Sequence, residues 1–330
     1  MIVERFRRRA LYSATLLALA TTGMISAESF AQSAVSDGSA GQQIEEVFVT
    51  AQKQVFSNNV ITESMQQQQS PITSVNSLID NLPGVSIQEG DTYGFDDWST
   101  TIAVRGFQNT LDEQQVGTTI DGIPNGNSNY GGGAKANRYI DPSNIGNIVV
   151  SQGTADITSR SLEALGGTLD FQTDSPLDES RVRAQYAVGE FDAQRYYVRV
   201  DTGTFGGNSE AWFSASHQEA SDWINGSAEN TRDHFAGKVV SRFDDLELTA
   251  YASYDDTQED NYQRLFSADE FTSNPEWDRL TDNWTGIPYV DQVYRQGWST
   301  LRENFLTYIK ASYTPSENFH IDGSVYYHDN

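Results

Sequence analysis

The 330-residue sequence contains no cysteine. That absence removes disulfides, thiol nucleophiles and thiolate metal sites together, so the fold must rest on packing and hydrogen bonds. Past residue 31 there is no run of the ~18 apolar residues that a spanning helix needs, so a membrane location would require a closed β-barrel. Basic residues are scarce as well: 21 Lys and Arg stand against 46 Asp and Glu, a formal charge of -25. A chain of that sign is repelled by nucleic acid, whose binding depends on Lys and Arg. Catalytic patterns are missing too. There is no G-x-S-x-G elbow and no Walker loop, and His217, His234, His320 and His328 lack the i, i+4 spacing of a helical zinc site. Gly131-Gly132-Gly133 lies in a loop rather than between a strand and a helix, which argues against a phosphate cradle. The acidic run Asp255, Asp256, Glu259 and Asp260 lacks the register of a calcium loop and reads as a solvated face. No enzyme activity, metal or resident cofactor is expected.

What is present begins with an address. Arg5, Arg7, Arg8 and Arg9 form a basic start, Ala10 to Ala20 an apolar stretch too short to span, and Ser29-Phe30-Ala31 a small-residue cleavage pattern. Residues 1–31 therefore read as a signal peptide cleaved after Ala31. Residues 32–43 are Gly/Ser-rich and read as a flexible linker. They are too few to bury a core, so no extra signalling module is expected ahead of residue 44. With 37% hydrophobic and 12% aromatic residues, the remainder is too apolar for wholesale disorder, and the length implies two structural units.

The first unit is written in short apolar runs closed by Gly, Pro or Asp, the pattern of strands and tight turns. These runs are Leu82-Pro83-Gly84-Val85, Ile102-Ala103-Val104-Arg105-Gly106-Phe107, Thr119-Ile120-Asp121-Gly122-Ile123-Pro124, Ile145-Gly146-Asn147-Ile148-Val149-Val150 and Ala164-Leu165-Gly166-Gly167-Thr168-Leu169-Asp170-Phe171. Strands are expected at 85–88, 101–105, 117–120, 145–151 and 167–173. Ahead of them, Thr73 or Ser74 can cap a short helix carrying Leu78, Ile79 and Leu82 and stopped by Pro83-Gly84. In this order and spacing the set resembles the plug domain of TonB-dependent outer-membrane receptors, from about residue 44 to about residue 176. The agreement of five separated motifs makes the resemblance specific, since any one alone is an ordinary turn.

The resemblance implies roles for individual residues. Ile44-Glu45-Glu46-Val47-Phe48-Val49-Thr50 looks like a TonB box, the strip such receptors offer to the periplasmic energy-coupling protein TonB. A β-prone strip beside a flexible linker suits strand addition to a partner's sheet edge; its alternative is the first strand of the plug. Gly84, Gly106, Asp121, Gly122, Gly166 and Gly167 would make the plug turns. Arg105 matches the arginine of the I-R-G-F motif, which lies inside the barrel and pairs with wall carboxylates, because a buried guanidinium needs such partners; a surface arginine is the alternative. Gln152 stands where the family often has a second plug arginine, so one ion pair is expected to be absent or reduced to a neutral hydrogen bond. Tyr93, Phe95, Trp98, Asn127, Tyr130, Lys135 and Arg138, from the irregular stretches 89–99 and 125–138, would face the ligand cavity.

From Arg181 the period changes to two. Val182, Ala184, Tyr186 and Val188 alternate with mostly polar neighbours, and similar runs follow at 194–201, 210–218, 234–243, 246–254, 300–313 and 319–327, seven strands in all. Short turns alternate with longer loops, as between the periplasmic and extracellular ends of an outer-membrane barrel, and Tyr254, Trp298, Tyr313 and Tyr327 suit its aromatic girdles. A soluble β-sandwich also alternates and is the competing reading. The expected fold is an α+β plug domain over 71–177, preceded by a linker over 32–70 that holds the box. An antiparallel transmembrane β-barrel follows, of which 178–330 supply about seven strands of the ~22 in the resembled family. Seven strands cannot close, so a truncated product or a fragment, inactive alone, is expected.

The resemblance implies active uptake through the bacterial outer membrane, with TonB, outer-membrane lipid and a small ligand as partners. An iron-siderophore complex ranks slightly ahead of an oligosaccharide, and neutral cargo ahead of anionic, because an acidic surface slows the approach of anions. A non-transporting β-rich secreted binding protein is the reading from a different class.

Overall fold

Strand pairing starts earlier than the plug motifs suggest. The computed structural model describes residues 58–329 apart from 97, 126–134, 154, 157, 222–223, 225–228, 261–262 and 264, and its first element is β1 (Asn58–Thr62). This strand has a single buried apolar side chain, Ile61, and is held by its register on a neighbour, with Ile61 opposite Ile148. So short a half-polar run carries little pattern, and together with the helix α1 (Glu63–Gln66) it extends the ordered plug ahead of the boundary expected at residue 71. A short 3-10 helix follows at Ser77–Ile79, where Ser74 Oγ accepts the Ser77 N–H at 2.8 Å. Asn76, at the N-cap position itself, makes no side-chain capping bond.

Two small sheets make the plug. β2 (Val85–Gln88), β3 (Thr101–Val104) and β4 (Phe107–Asn109) form an antiparallel three-stranded sheet. β1 joins β5 (Gly117–Ile120), β6 (Ile123–Pro124), β7 (Ile145–Gln152) and β8 (Gly167–Thr173) in the order β1-β7-β8-β5-β6, with β5 and β8 parallel. The five strands read from the motifs all form, each within one residue of its expected ends.

The third sheet is the wall. β9 (Ser180–Val188), β10 (Gln194–Thr202), β11 (Ser209–Ser221), β12 (Glu229–Phe243), β13 (Leu246–Asp260), β14 (Ser299–Ser316) and β15 (Phe319–Asp329) pair in chain order, each antiparallel to the next. Alternation sends apolar side chains to the face away from the plug, where Val200, Phe213, Phe235, Leu301, Ile309 and Tyr313 stand exposed. The opposite parity carries Arg195, Arg199, Ser216, Arg232, His234, Lys238 and Asp255, all buried beneath the plug. A soluble sandwich would turn its apolar face inward. Among the described residues no helix is long and apolar enough to cross a membrane, which says nothing about strands.

One expectation is corrected here. The acidic run at 255–260 is not a solvated face, because β13 runs on past Tyr254 to Asp260. Strand parity then turns Asp255 and Glu259 inward, where Arg232 and Arg302 pair with them; Asp260 is buried too. Ion pairing offsets the cost of removing those carboxylates from water.

Plug and wall share one apolar core. Ile79, Val104, Ile120, Ile148 and Phe171 of the plug cluster with Trp212, Tyr251, Leu306 and Tyr308 of the wall. The connection between β13 and β14 carries α2 (Ala268–Ser273) and two further 3-10 turns.

Candidate functional site

The surface between plug and wall brings together more charged groups than any motif announces. Asp141 ends the stretch after β6 and caps the turn Pro142–Asn144, its Oδ1 accepting the Ser143 N–H at 2.8 Å. The same oxygen accepts Arg195 Nη2 at 2.6 Å, and Oδ2 accepts the Ser216 hydroxyl at 2.7 Å. Asp141 has no exposed surface (0%). Burial pushes its carboxyl up, but the Arg195, His234 and Arg232 charges outweigh that and hold it at about 2. Arg232 also donates to Ile140 O at 3.0 Å and to Asp255 at 2.6 Å.

Two more plug carboxylates repeat the arrangement. Asp174, just past β8, accepts Arg199 Nη1 at 2.6 Å, while Arg199 is forked onto Asp201 and lies 4.8 Å over the Trp212 ring. Trp212 Nε1 donates in turn to Asp174 O at 2.8 Å. Asp121 and Gly122 make the two-residue turn between β5 and β6, both with positive φ (51° and 74°). Such a turn favours an Asp-Gly pair. It aims the Asp121 carboxylate at Tyr308 OH (2.5 Å), Thr173 Oγ1 (2.6 Å) and Lys238 Nζ (3.7 Å), and its carbonyl at Lys310 Nζ (2.6 Å). The Asp-Gly turn thus serves both as a hairpin and as a pin into β12 and β14.

These pairs are of opposite polarity to the lock expected at Arg105. Wall cations hold plug carboxylates, whereas the expected lock, Arg105, is an exposed side chain whose Nε donates to Gln152 Oε1 at 3.1 Å. Among the described residues no carboxylate pairs with Arg105. Arg105 (φ 50°) and Gly106 (φ 89°) form the tight turn joining β3 to β4, and the Arg105 N–H reaches Gly84 O at 2.7 Å. Gln152 is buried, and its hydrogen bond goes to Arg105 within the plug. Gly166 and Gly167 are needed for space: a Cβ would come within 2.2 Å of Phe107 Cβ at the first and 2.0 Å of Ser151 O at the second. The paired wall cations were missed in the sequence, although Arg195, Arg199 and Asp201, spaced by even numbers, share one strand parity.

The expected ligand residues separate. Asp91 organises the loop after β2 by accepting the backbone N–H groups of Tyr93, Phe95 and Asp96 at 2.8 to 3.0 Å. The Tyr93 and Phe95 rings then stack 5.4 Å apart against Ala193 and Ala220 of the wall. They are 1% and 4% exposed, and Tyr93 OH donates to Gln194 O at 2.8 Å. Trp98, by contrast, is 49% exposed. Lys135 is buried, Arg138 is half-buried, and Asn137 Nδ2 ties their segment to Gly94 O at 2.7 Å. Burial pushes the Asp96 carboxyl up to about 6; it brings Lys135 down to about 8 and Arg138 to about 10, with Arg302 adding to both. Asn127, Tyr130 and the strip Ile44 to Thr50 lie outside the described residues. Among the described residues no group of His, Asp and Glu is arranged to hold a metal ion.

Comparison with known proteins agrees with this architecture. The family model described as TonB-dependent Receptor Plug Domain matches residues 50–168. No curated relative matches the sequence. Among solved structures, the ferripyoverdine receptor of the outer membrane of Pseudomonas aeruginosa is similar at 18% identity, over 78% of this chain and 32% of that one, with a TM-score of 0.56. The siderophore receptor PiuA from Acinetobacter baumannii is similar at 16% identity, over 82% and 36%, with a TM-score of 0.60. A mutant of the ferric enterobactin receptor from Pseudomonas aeruginosa is similar at 14% identity, over 84% and 41%, with a TM-score of 0.59. At such identities the likeness shows the fold. The chain spans about a third of the length of the first structures it matches.

Proposed function

From a chain that carries a TonB-dependent receptor plug domain and antiparallel strands like those that open the receptors' barrel, we propose a protein of the bacterial outer membrane that takes up a scarce ligand actively. The ligand in this reading is an iron-siderophore complex. The observation that carries it is the wall's far face, where apolar side chains stand exposed, while the side beneath the plug buries charged pairs around the shared aromatic core. That polarity suits lipid on one side and a plugged lumen on the other, and it disfavours a secreted sandwich. Several of the similar structures are receptors for ferric chelates, ferripyoverdine and ferric enterobactin, which favours iron over a glycan.

In this mechanism the ligand settles from outside on Trp98, Arg138 and the segment with Asn127 and Tyr130. Tyr93 and Phe95 transmit its presence, because they fasten the same loop to the wall. TonB adds a strand to Ile44 through Thr50 and pulls. Arg105 and Gln152 form the plug lock.

Cells expressing the intact gene product under iron limitation are expected to accumulate radioactive iron from a ferric siderophore. Val47→Pro removes a strand donor and fixes φ, so accumulation should stop while surface binding persists. Uptake unchanged by Val47→Pro refutes the box. Induction by a carbon source, with no response to iron, refutes the cargo and leaves the transporter class standing. The exported chain is expected to begin at Gln32, and a retained Met1 in the membrane fraction would refute the signal peptide.

A further inference from the structure

The connection between β13 and β14 has a fixed base. Asp278 accepts both terminal nitrogens of Arg295, at 2.6 and 2.9 Å, and both side chains are buried. The Thr281 N–H donates to Val293 O and the Arg295 N–H to Thr281 O, each at 2.9 Å, and Trp284 meets Tyr294 edge-on at 5.2 Å. A bidentate ion pair shielded from water holds its geometry, so side chains mounted around it are pre-positioned.

The same connection carries an open groove of about 410 Å³, lined by Ser267, Asp269, Glu270, Ser273, Asn274 and Trp277. Two of these shape the groove: Ser267 Oγ accepts the Glu270 N–H at 3.3 Å, and Glu270 Oε2 accepts the Phe266 N–H at 2.6 Å. The Asp269 carboxylate and the Asn274 amide make no hydrogen bond within the described residues, and Trp277 keeps 38% of its surface exposed. A groove lined by a partly exposed indole, a carboxylate and an amide suits a sugar ring, which offers an apolar C–H face for stacking and adjacent hydroxyls for paired hydrogen bonds. Between residues 261 and 298 stand six acidic side chains, Asp269, Glu270, Glu276, Asp278, Asp282 and Asp291, against Arg264, Arg279 and Arg295. That excess repels phosphorylated or carboxylated ligands.

We propose that this groove is a binding subsite for a neutral pyranose of a soluble oligosaccharide, separate from the uptake of iron. The test titrates the protein, in detergent, with maltohexaose, cellohexaose and chitohexaose, and in a second arm with lipopolysaccharide, reading tryptophan fluorescence and saturation-transfer NMR. Saturable binding of at least one hexasaccharide is expected, weakened about tenfold or more by Trp277→Ala and by Asp269→Ala and unchanged by Tyr289→Ala, a change at an exposed side chain outside both base and groove. No saturable binding of any hexasaccharide overturns the proposal, as does binding that Trp277→Ala leaves intact. Binding confined to lipopolysaccharide also overturns it, because that ligand's sugars carry phosphate. Iron accumulation is expected to be equal in the Trp277→Ala and unaltered proteins, so failure of the glycan site leaves the transport reading in place.

Discussion

At the body of the plug, Asp121, Asp141 and Asp174 meet Lys238, Arg195 and Arg199 of the wall, whereas the loop between β2 and β3 is fastened by the stacked rings of Tyr93 and Phe95 against Ala193 and Ala220. At the first attachment the charges around Asp141 hold its carboxyl low; at the second, burial drives the neighbouring Asp96 toward the neutral form. The difference teaches what each can tolerate. Ion pairs out of water fail abruptly when one partner is lost, while an aromatic contact weakens in proportion to the area removed.

The sharpest way to break the contrast is at Asp141. Asp141→Ala strands the Arg195 guanidinium in a buried site and is expected to cost ~3 to 5 kcal/mol in plug stability, read by urea melting. Replacing both partners, Asp141→Asn with Arg195→Met, should recover most of that loss, since no uncompensated charge remains. If the single and double variants melt alike, the pair is not acting as a charged latch. Tyr93→Ala comes next, at ~3 kcal/mol for a buried aromatic, with Tyr93→Phe costing ~1 kcal/mol for its hydrogen bond to Gln194. Hydrogen exchange over 89–100 should show the loop loosening while the Asp141 region stays protected.

Arg105→Ala is expected to do less. An exposed guanidinium with one neutral partner contributes ~1 kcal/mol or below, whereas carboxylates closing around it in a complete barrel would raise the cost to ~3 to 5 kcal/mol. Urea melting of Arg105→Ala beside the unaltered protein decides between surface residue and lock.

The smallest effect is that of pH. Asp141 has a depressed folded pKa, so its contribution is present above the unfolded value of ~4 and is lost only as pH falls through about 2. Asp96 has a raised one; its contribution is present below ~4 and lost as pH rises through about 6. Between pH 7 and pH 5, amide protection over 89–100 is therefore expected to rise, by about tenfold at most, while that around Asp141 holds steady. Parallel changes in both regions would show that the two attachments are not distinct.

Much of this frame was legible in the sequence for a definite reason. Period-two alternation and Gly or Pro punctuation are local, so strands such as Gly117–Ile120 and Leu246–Asp260 announce themselves, the latter with its far end misread. Which charges meet is a matter of pairing and parity across distant segments. Asp141 and Arg195 touch because a 3-10 turn of the plug faces β10, and neither residue sits in a recognisable motif. Tyr93 and Phe95 looked like cavity residues because aromatic content in an irregular stretch does not reveal which side faces the wall. Arg105 was assigned by resemblance, which carried its expected role but not its surroundings.

The central claim, that the wall turns an apolar face to lipid and a charged face to the plug, is testable because the chain has no cysteine of its own. Single cysteines placed at Phe213, Phe235 and Ile309 on the apolar face, and at Ser267 in the long connection, can be probed with a water-soluble maleimide in isolated outer membranes. The account expects rapid labelling at Ser267 and strong protection at the other three, with protection lost when the lipid is replaced by urea. Equal labelling at all four positions in intact membranes would contradict it.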